Sequence, residues 1–418
     1  GCGADQKCGR KRNLGWQPSQ VFEDGEVMKK LAIIGASYLQ KPLVLKAREL
    51  GYETFVFAWE DGAVCKGIAD HFMPISILEK EEILRECMRI EIDGITSIGS
   101  DLAMPTVNYI ADKMSLVGNS LDCTMVSTNK YQMRTKLSSE GVSCPRFVLH
   151  TGGRLNGVES LCFPVIVKPT DRSGSLGVTK VETMDHLENA VYKAKSISLT
   201  GQVIIEEFIE GREFSVEFIS YQGIHHYLTI TDKVTTNEPY FVEIAHHQPA
   251  DISRDVEKRI ISEVKKALDA LGIKNGASHS EVKITKEGII RVIEIAGRMG
   301  GELIGSDMVE NSTGYDFVKG VIDVALGQFD NSAVEKLITR YSGVYYVIPS
   351  PGVIYDIVDN SSRFNGITKV EVMCQIGDSI EEVIDGAGKR PAVFVYADDK
   401  KRLHFDPNQV IIIKTKQV

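Results

Sequence analysis

No two of the eight cysteines stand in Cys-x-x-Cys spacing. That excludes a zinc ribbon and argues against a disulfide framework, so the chain is expected to work in a reducing, cytoplasmic compartment. Cys2 and Cys8 have no histidine near them and are not expected to hold a metal. No apolar run is long enough to cross a bilayer, so no membrane partner is expected. Basic residues are not in excess: the net charge is −9, which argues against the positive stripe of a nucleic-acid binder. Internal repeats and low-complexity tracts are absent. What remains is an ordinary soluble composition, 43% hydrophobic and 25% charged, over 418 residues. That is enough for several domains around sizeable cores.

Residues 1–27 are polar and glycine-rich, with a basic patch at Arg10-Lys11-Arg12 and no apolar h-region. They read as a loosely ordered extension rather than a secretory signal. Residues 28–125 then alternate strand and helix patterns, with strands at 30–35, 54–57 and 94–98 and a helix at 41–50. This predicts a parallel, Rossmann-like sheet covered on both faces. The first turn, Gly35-Ala-Ser-Tyr-Leu, keeps only the first glycine of Gly-x-Gly-x-x-Gly. Without the second, the backbone cannot come close to a pyrophosphate, so a dinucleotide cofactor is not expected.

Residues 126–330 change texture towards antiparallel strands. Strands are predicted at 163–168, 178–181 and 202–206. A pair at 212–220 and 224–231 is joined through Tyr221-Gln-Gly223. Amphipathic helices follow at 256–271 and 316–326. Residues 331–418 are β-rich again, with strands at 343–347, 352–358 and 392–396. The whole is therefore α/β and α+β: a Rossmann-like N-terminal domain, a mixed central domain and a small β-rich C-terminal lobe.

The most informative segment is Glu281-Val-Lys-Ile-Thr-Lys-Glu-Gly-Ile-Ile-Arg-Val-Ile-Glu294. Two apolar-rich runs flank Glu287-Gly288, which reads as a two-residue hairpin turn. If Lys286 pairs with Ile289, counting outward sets Glu281 opposite Glu294. Facing carboxylates repel, and a cation between them relieves that. Hard oxygen ligands suit Mg²⁺, with Mn²⁺ as an alternative ion.

Upstream, the loop Arg172-Ser-Gly-Ser-Leu-Gly177 joins two strands. It is not a Walker A motif, which must open a helix. Its small residues still let backbone N–H groups converge on an anion, and Ser173 and Ser175 add hydroxyls. Lys168 ends an apolar strand just before this loop, and Lys130 follows Asn129. Both are candidates for phosphate contact. In Val203-Ile-Ile-Glu206-Glu207-Phe-Ile209-Glu-Gly-Arg-Glu213 an apolar strand runs into a linker with free backbone groups. Such a linker suits an adenine edge, and Glu213 suits ribose hydroxyls. The double histidine His246-His247 is a candidate for binding a carboxylate, steering a phosphate or acting as a base. Glu243, Lys233 and the segment Gly300-Gly301 are further substrate candidates.

Asn129-Lys130, Val-Ile-Val-Lys168-Pro, Ser-Gly-Ser-Leu-Gly177, Ile-Ile-Glu206-Glu-Phe-Ile-Glu-Gly-Arg-Glu213, Glu281 and Glu294-Ile-Ala-Gly-Arg298 together, in this order, resemble an ATP-grasp carboxylate–amine ligase, of the L-amino-acid ligase or biotin-carboxylase-like branch. The resemblance runs over residues 29–330, and the C-terminal lobe is similar to that of the biotin-carboxylase and purine-ligase branches. It implies that ATP lies against Lys130, Lys168, the 173–177 loop (Gly174 included), Glu206, Glu207, Ile209 and Glu213. It implies Mg²⁺ on Glu281 and Glu294, with Arg298 and Lys168 catalytic. Many members carry Asn two residues after the second metal glutamate; Ala296 stands here. The expected reaction joins a carboxylate, of an amino acid, to an amine through an acyl phosphate, giving ADP and phosphate. The other readings are an enzyme of purine or bicarbonate and carbamoyl-phosphate metabolism, and a nucleotide-binding regulator. Small-molecule substrates and a homodimer are the expected partners.

Overall fold

The computed structural model describes residues 28–236, 243–381 and 390–417. The extension 1–27, with Cys2 and Cys8, and residues 240–242 lie outside them. Among the described residues the strands form four sheets, and no helix is long and apolar enough to cross a membrane.

The first sheet is parallel. β1 (Lys30–Ile34), β2 (Glu53–Phe57), β3 (His71–Met73) and β4 (Gly94–Thr96) lie in the order β3-β2-β1-β4. The continuous apolar run of β1 is buried from Leu31 to Ile34, as a strand covered on both faces requires. One face is covered by α1 (Lys41–Glu49), whose Leu43, Val44 and Ala47 join the core. The other is covered by α2 (Lys80–Ile90) and α3 (Met104–Met114). The turn after β1 begins with Gly35 at φ +102, a conformation that favours glycine.

α4 (Leu121–Thr128) and α5 (Lys130–Ser139) lead into a small antiparallel sheet. Its strands β5 (Phe147–His150), β6 (Val165–Pro169), β7 (Thr179–Val181) and β8 (Val203–Glu207) run in the order β5-β8-β6-β7, with α6 (Leu187–Ile197) packed on it. The large sheet begins with β9 (Arg212–Tyr221), β10 (Ile224–Thr235) and β11 (Glu243–Gln248). It continues after α7 (Arg254–Leu271) with β12 (Gly276–Ile284) and β13 (Ile290–Ala296). α7 starts two residues before its predicted position because the Ser253 side chain caps it. α8 (Val309–Thr313) and α9 (Phe317–Ala325) then pack between this sheet and α1.

The predicted boundary at residue 330 is not a break in the sheet. β14 (Tyr341–Val347), β15 (Gly352–Asp359), β16 (Ile367–Val372), β17 (Ser379–Ile380), β18 (Ala392–Asp398) and β19 (Ile411–Lys416) follow it. β14 pairs with β11, so the large sheet reads β13-β12-β9-β10-β11-β14-β18-β16. Only β15, β17 and β19 form a separate sheet. Alternation along the large sheet decides where the site lies. Phe214, Val216, Phe218, Val282 and Val292 point to one face and pack on Ile260, Val264 and Leu268 of α7. The residues between them point to the other face and are polar.

Candidate active site

Glu281 pairs with Glu294, as predicted, but by a different route. The hairpin turn is Lys286-Glu287-Gly288, three residues and not two: Thr285 N–H donates to Ile289 O at 2.9 Å, and Gly288 sits at φ +78. That shifts the register by one, so Ile284 faces Ile290 and Val282 faces Val292. A bulge then leaves Ile293 over and restores the Glu281–Glu294 match. Without it Glu294 would point at α7. The bulge is clasped from α5. Arg134 donates to the freed carbonyl of Ile293, and Lys130 Nζ reaches Glu294 Oε1 at 2.6 Å. Lys130 and Arg134 lie four apart, on one helix face. The Asn129 side chain caps that helix by accepting from the N–H groups of Tyr131 and Gln132.

The polar face of the sheet forms one wall of a cleft of about 830 Å³, a volume suited to a nucleotide and a small substrate. The small sheet forms the opposite wall and the turn after β1 closes one end. Lys168 from β6 meets Glu206 from β8, and Glu206 also accepts from Arg134 Nε at 3.0 Å. This triad is almost fully buried. Burial works against the Glu206 charge, but Arg134 and Lys168 hold its carboxyl down at about 2. The Glu206 side chain is thus committed to internal ion pairs, and only its main chain is left to meet a nucleotide. Ile209 lines the cleft, and its N–H makes no hydrogen bond among the described residues. Glu207 also lines it, its carboxylate accepting from Cys162 N–H at 2.9 Å.

Ser173, Gly174 and Ser175 line the cleft under a loop with left-handed residues at Gly174 and Ser175. Lys130 Nζ holds this loop through Arg172 O at 2.8 Å. Gly177 does not face the cleft. It turns at φ +78 against Pro169 and Ile197, where a Cβ would be crowded. Arg298 faces the cleft and is held by a bidentate pair with Asp101, at 2.9 and 2.7 Å.

Lys233 is the hub of the far end. Its ammonium touches Glu213 at 2.7 Å, Glu281 at 2.8 Å and Glu243 at 3.3 Å. Burial opposes its charge, yet these three carboxylates raise its pKa well above the ordinary lysine value. Glu281 stays ionised for the converse reason, with Lys233 and His279 overcoming its burial. His279 bonds Glu217 at 2.5 Å. Burial works to lower its pKa, but Glu217 and Glu281 push it up to about 9, so it is a fixed cation at neutral pH and not a base. The two metal candidates present hard carboxylate oxygens side by side on one sheet face, a donor set that fits a divalent ion.

The double histidine divides. His246 lines the cleft beside Lys233. His247 points to the opposite face, as successive strand residues must, and meets Tyr345 and Tyr396. Burial brings its pKa down to about 4. His247 is accordingly a packing residue and not a substrate contact. Gly301 lines the cleft and Gly300 does not: a Cβ on Gly300 would lie 2.8 Å from His279 Nδ1 and 3.2 Å from the Glu217 carboxylate. Gly300→Ala should break that hydrogen bond and cost about 1–3 kcal/mol in urea unfolding; an unchanged midpoint would mean the pair tolerates the methyl group.

Sequence reasoning missed Asp101, Arg134, Glu217, His279, Glu302 and Arg390. His279 lies two residues before Glu281, and Arg134 one turn after Lys130, so periodicity alone carried a signal for both. Asp101 and Arg390 reach the site only through the tertiary fold.

A family model described as an ATP-grasp domain matches residues 161–307. The alanine–anticapsin ligase of Bacillus subtilis is 24% identical over 351 residues, covering 75% of this chain and 73% of that protein. The L-arginine-specific L-amino acid ligase of Bacillus subtilis is 25% identical over 328 residues, covering 75% and 77%. The crystal structure of an L-amino acid ligase from Bacillus licheniformis superposes with a TM-score of 0.80 at 24% identity, over 93% of this chain and 99% of that one, which shows a shared fold.

Proposed function

We propose that this chain, through the ATP-grasp domain it carries, joins the carboxylate of an amino acid to an amine at the expense of ATP. The observation that carries this reading is the Glu281–Glu294 pair on the polar wall of one cleft shared with Lys130, Lys168 and Arg298. The ligases among its relatives support the reaction class.

In this reading Lys130, Lys168 and the N–H groups of the 173–175 loop bind the phosphates, Ile209 meets the adenine edge and Glu213 meets the ribose. A divalent ion, Mg²⁺ or Mn²⁺, on Glu281 and Glu294 would draw charge from the phosphate oxygens. The substrate carboxylate oxygen attacks the γ-phosphorus as the bond from the β-phosphate oxygen breaks, leaving ADP and an acyl phosphate. Arg298, fixed by Asp101, stabilises the charge on the moving phosphoryl group. The amine nitrogen then attacks the carbonyl carbon, phosphate leaves, and the amine gives up a proton. The wall of salt-bridged side chains keeps these groups preorganised, and the glycine loop excludes water from the labile intermediate.

The test is ADP release on mixing the protein with Mg-ATP and pooled amino acids, against pools containing a purine ribotide amine or bicarbonate. Turnover only with the latter two would replace this reading by another ATP-grasp chemistry. Hydroxylamine supplies a second check. It should intercept the acyl phosphate and give one hydroxamate per ADP, whereas an adenylating enzyme would release pyrophosphate instead.

A further inference from the structure

We propose that Glu243, His246 and Glu302 form a cradle for the α-ammonium group of the amino-acid substrate. This rests on the ligase reading of the same cleft. One ligand atom from each residue lies within 4.8 Å of the others, and all three residues line the cleft. An ammonium group has three donors. Acceptors at ordinary hydrogen-bond length around a tetrahedral nitrogen stand about 4.6 Å apart, so the three fit one such guest with little movement.

A buried and unanswered acceptor points the same way. His246 is 1% exposed, and its Nδ1 has no hydrogen-bond partner. Its burial, with Lys233 and Arg390 nearby, keeps the ring neutral, so one ring nitrogen can accept. Leaving such a group unpaired costs about 1–3 kcal/mol. Burial raises the pKa of Glu243 against the pull of Lys233 and Arg390.

Glu302 is held at some cost to the backbone. It sits at φ +55 and Leu303 at +66, left-handed conformations that cost non-glycine residues roughly 1–2 kcal/mol each. The arrangement is locked from the C-terminal part of the chain. Tyr346 OH donates to Glu302 O at 3.4 Å, and the Arg390 guanidinium stacks on the Tyr346 ring at 3.7 Å while pairing with the Glu302 carboxylate. Strain kept in this way is a mark of a functional position.

A single positive charge suits the cradle better than a dication. Lys233 lies 3.3 Å from Glu243, and Arg390 lies 3.8 Å from it. Both are fixed cations that already answer the two carboxylates, and the cost of stripping water from a guest rises with the square of its charge, which penalises a doubly charged one more. The cradle also borders the acidic pair, because the Lys233 ammonium touches Glu243 and Glu281 together. An α-amino acid with its nitrogen in the cradle therefore presents its carboxylate, one carbon away, towards the phosphate end.

The experiment is calorimetric titration of the full chain, with Mg²⁺ and a non-hydrolysable ATP analogue, using the common L-amino acids and their desamino carboxylic acids. At least one amino acid should bind, and its desamino counterpart should bind about 100-fold more weakly. Glu302→Gln and Glu243→Gln should weaken that amino acid by about 10- to 100-fold, the worth of a charge-assisted hydrogen bond, and leave the desamino acid unaffected. The wild-type comparison stands even if a variant does not fold. Equal binding of both acids, or no amino-acid binding at all, overturns the cradle. So does Mn²⁺ binding without nucleotide that Glu302→Gln abolishes, which would make this a metal site. ADP release by the same proteins, with Mg-ATP in place of the analogue, separates the two readings. Selective binding without turnover keeps the cradle and removes the ligase, while turnover indifferent to the amino group does the reverse.

Discussion

Glu294→Gln should cut amino-acid-dependent ADP release by about 10²- to 10³-fold, and Glu281→Gln by a similar factor. Each change removes one negative oxygen from the donor pair, and losing a charged contact to a developing transition state costs on the order of 3–4 kcal/mol. The two variants should differ in their collateral effects. Glu294 is the partner of Lys130 at 2.6 Å, so its loss leaves that lysine with the Arg172 carbonyl alone and should also weaken ATP binding. Glu281 partners Lys233, which keeps Glu213 and Glu243. Its loss should spare ATP affinity more than turnover. Steady-state ADP release with a parallel binding titration checks both. A Glu294→Gln protein within about fivefold of the parent would mean the pair holds no catalytic cation.

Glu206→Gln should be the most destabilising of the conservative substitutions in the cleft, at about 3–5 kcal/mol. Among the described residues the Glu206 carboxylate is the one anion paired with both Arg134 and Lys168, whose side chains are 1% and 6% exposed. Removing its charge leaves two buried cations facing each other. The pH dependence follows from the direction of the shift. Burial alone would raise the Glu206 pKa, but the two cations bring it to about 2 from an ordinary 4.5. A carboxyl depressed in the folded state binds its proton more readily when unfolded, so its contribution is complete above about 4.5 and is lost as the pH falls towards 2. Urea unfolding at neutral pH should show the full difference between parent and variant, narrowing in that acid window. A constant difference down to the lowest accessible pH would show that the substitution acts through packing and not charge.

Period-two alternation makes much of this cleft readable from sequence. Glu213, Lys233, His246, Glu281 and Glu294 all fall on one face while Phe214, Val282 and Ile295 beside them fill the other, and the same counting assigns His247 to the aromatic side. Helical spacing likewise ties Arg134 to Lys130. The rest depends on which segments meet, and pattern does not encode that. The pairing of β11 with β14 carries C-terminal strands into the large sheet, which runs on across the predicted boundary at 330. Asp101 lies after a three-residue strand with no motif around it, and it matters only because Arg298 arrives from a distant strand. Arg390 is similar, reaching Glu302 and Tyr346 across a gap of chain that no local rule bridges.

The hairpin also shows how a right expectation can rest on two compensating irregularities. The three-residue loop and the surplus Ile293 each displace the ladder by one step, in opposite senses. Loop length at the tip and orientation of the carboxylate at the base are therefore one inherited quantity. A chain that shortens the tip by a single residue must also iron out the kink below it, or its second acidic group turns half a revolution into the oily side of the sheet.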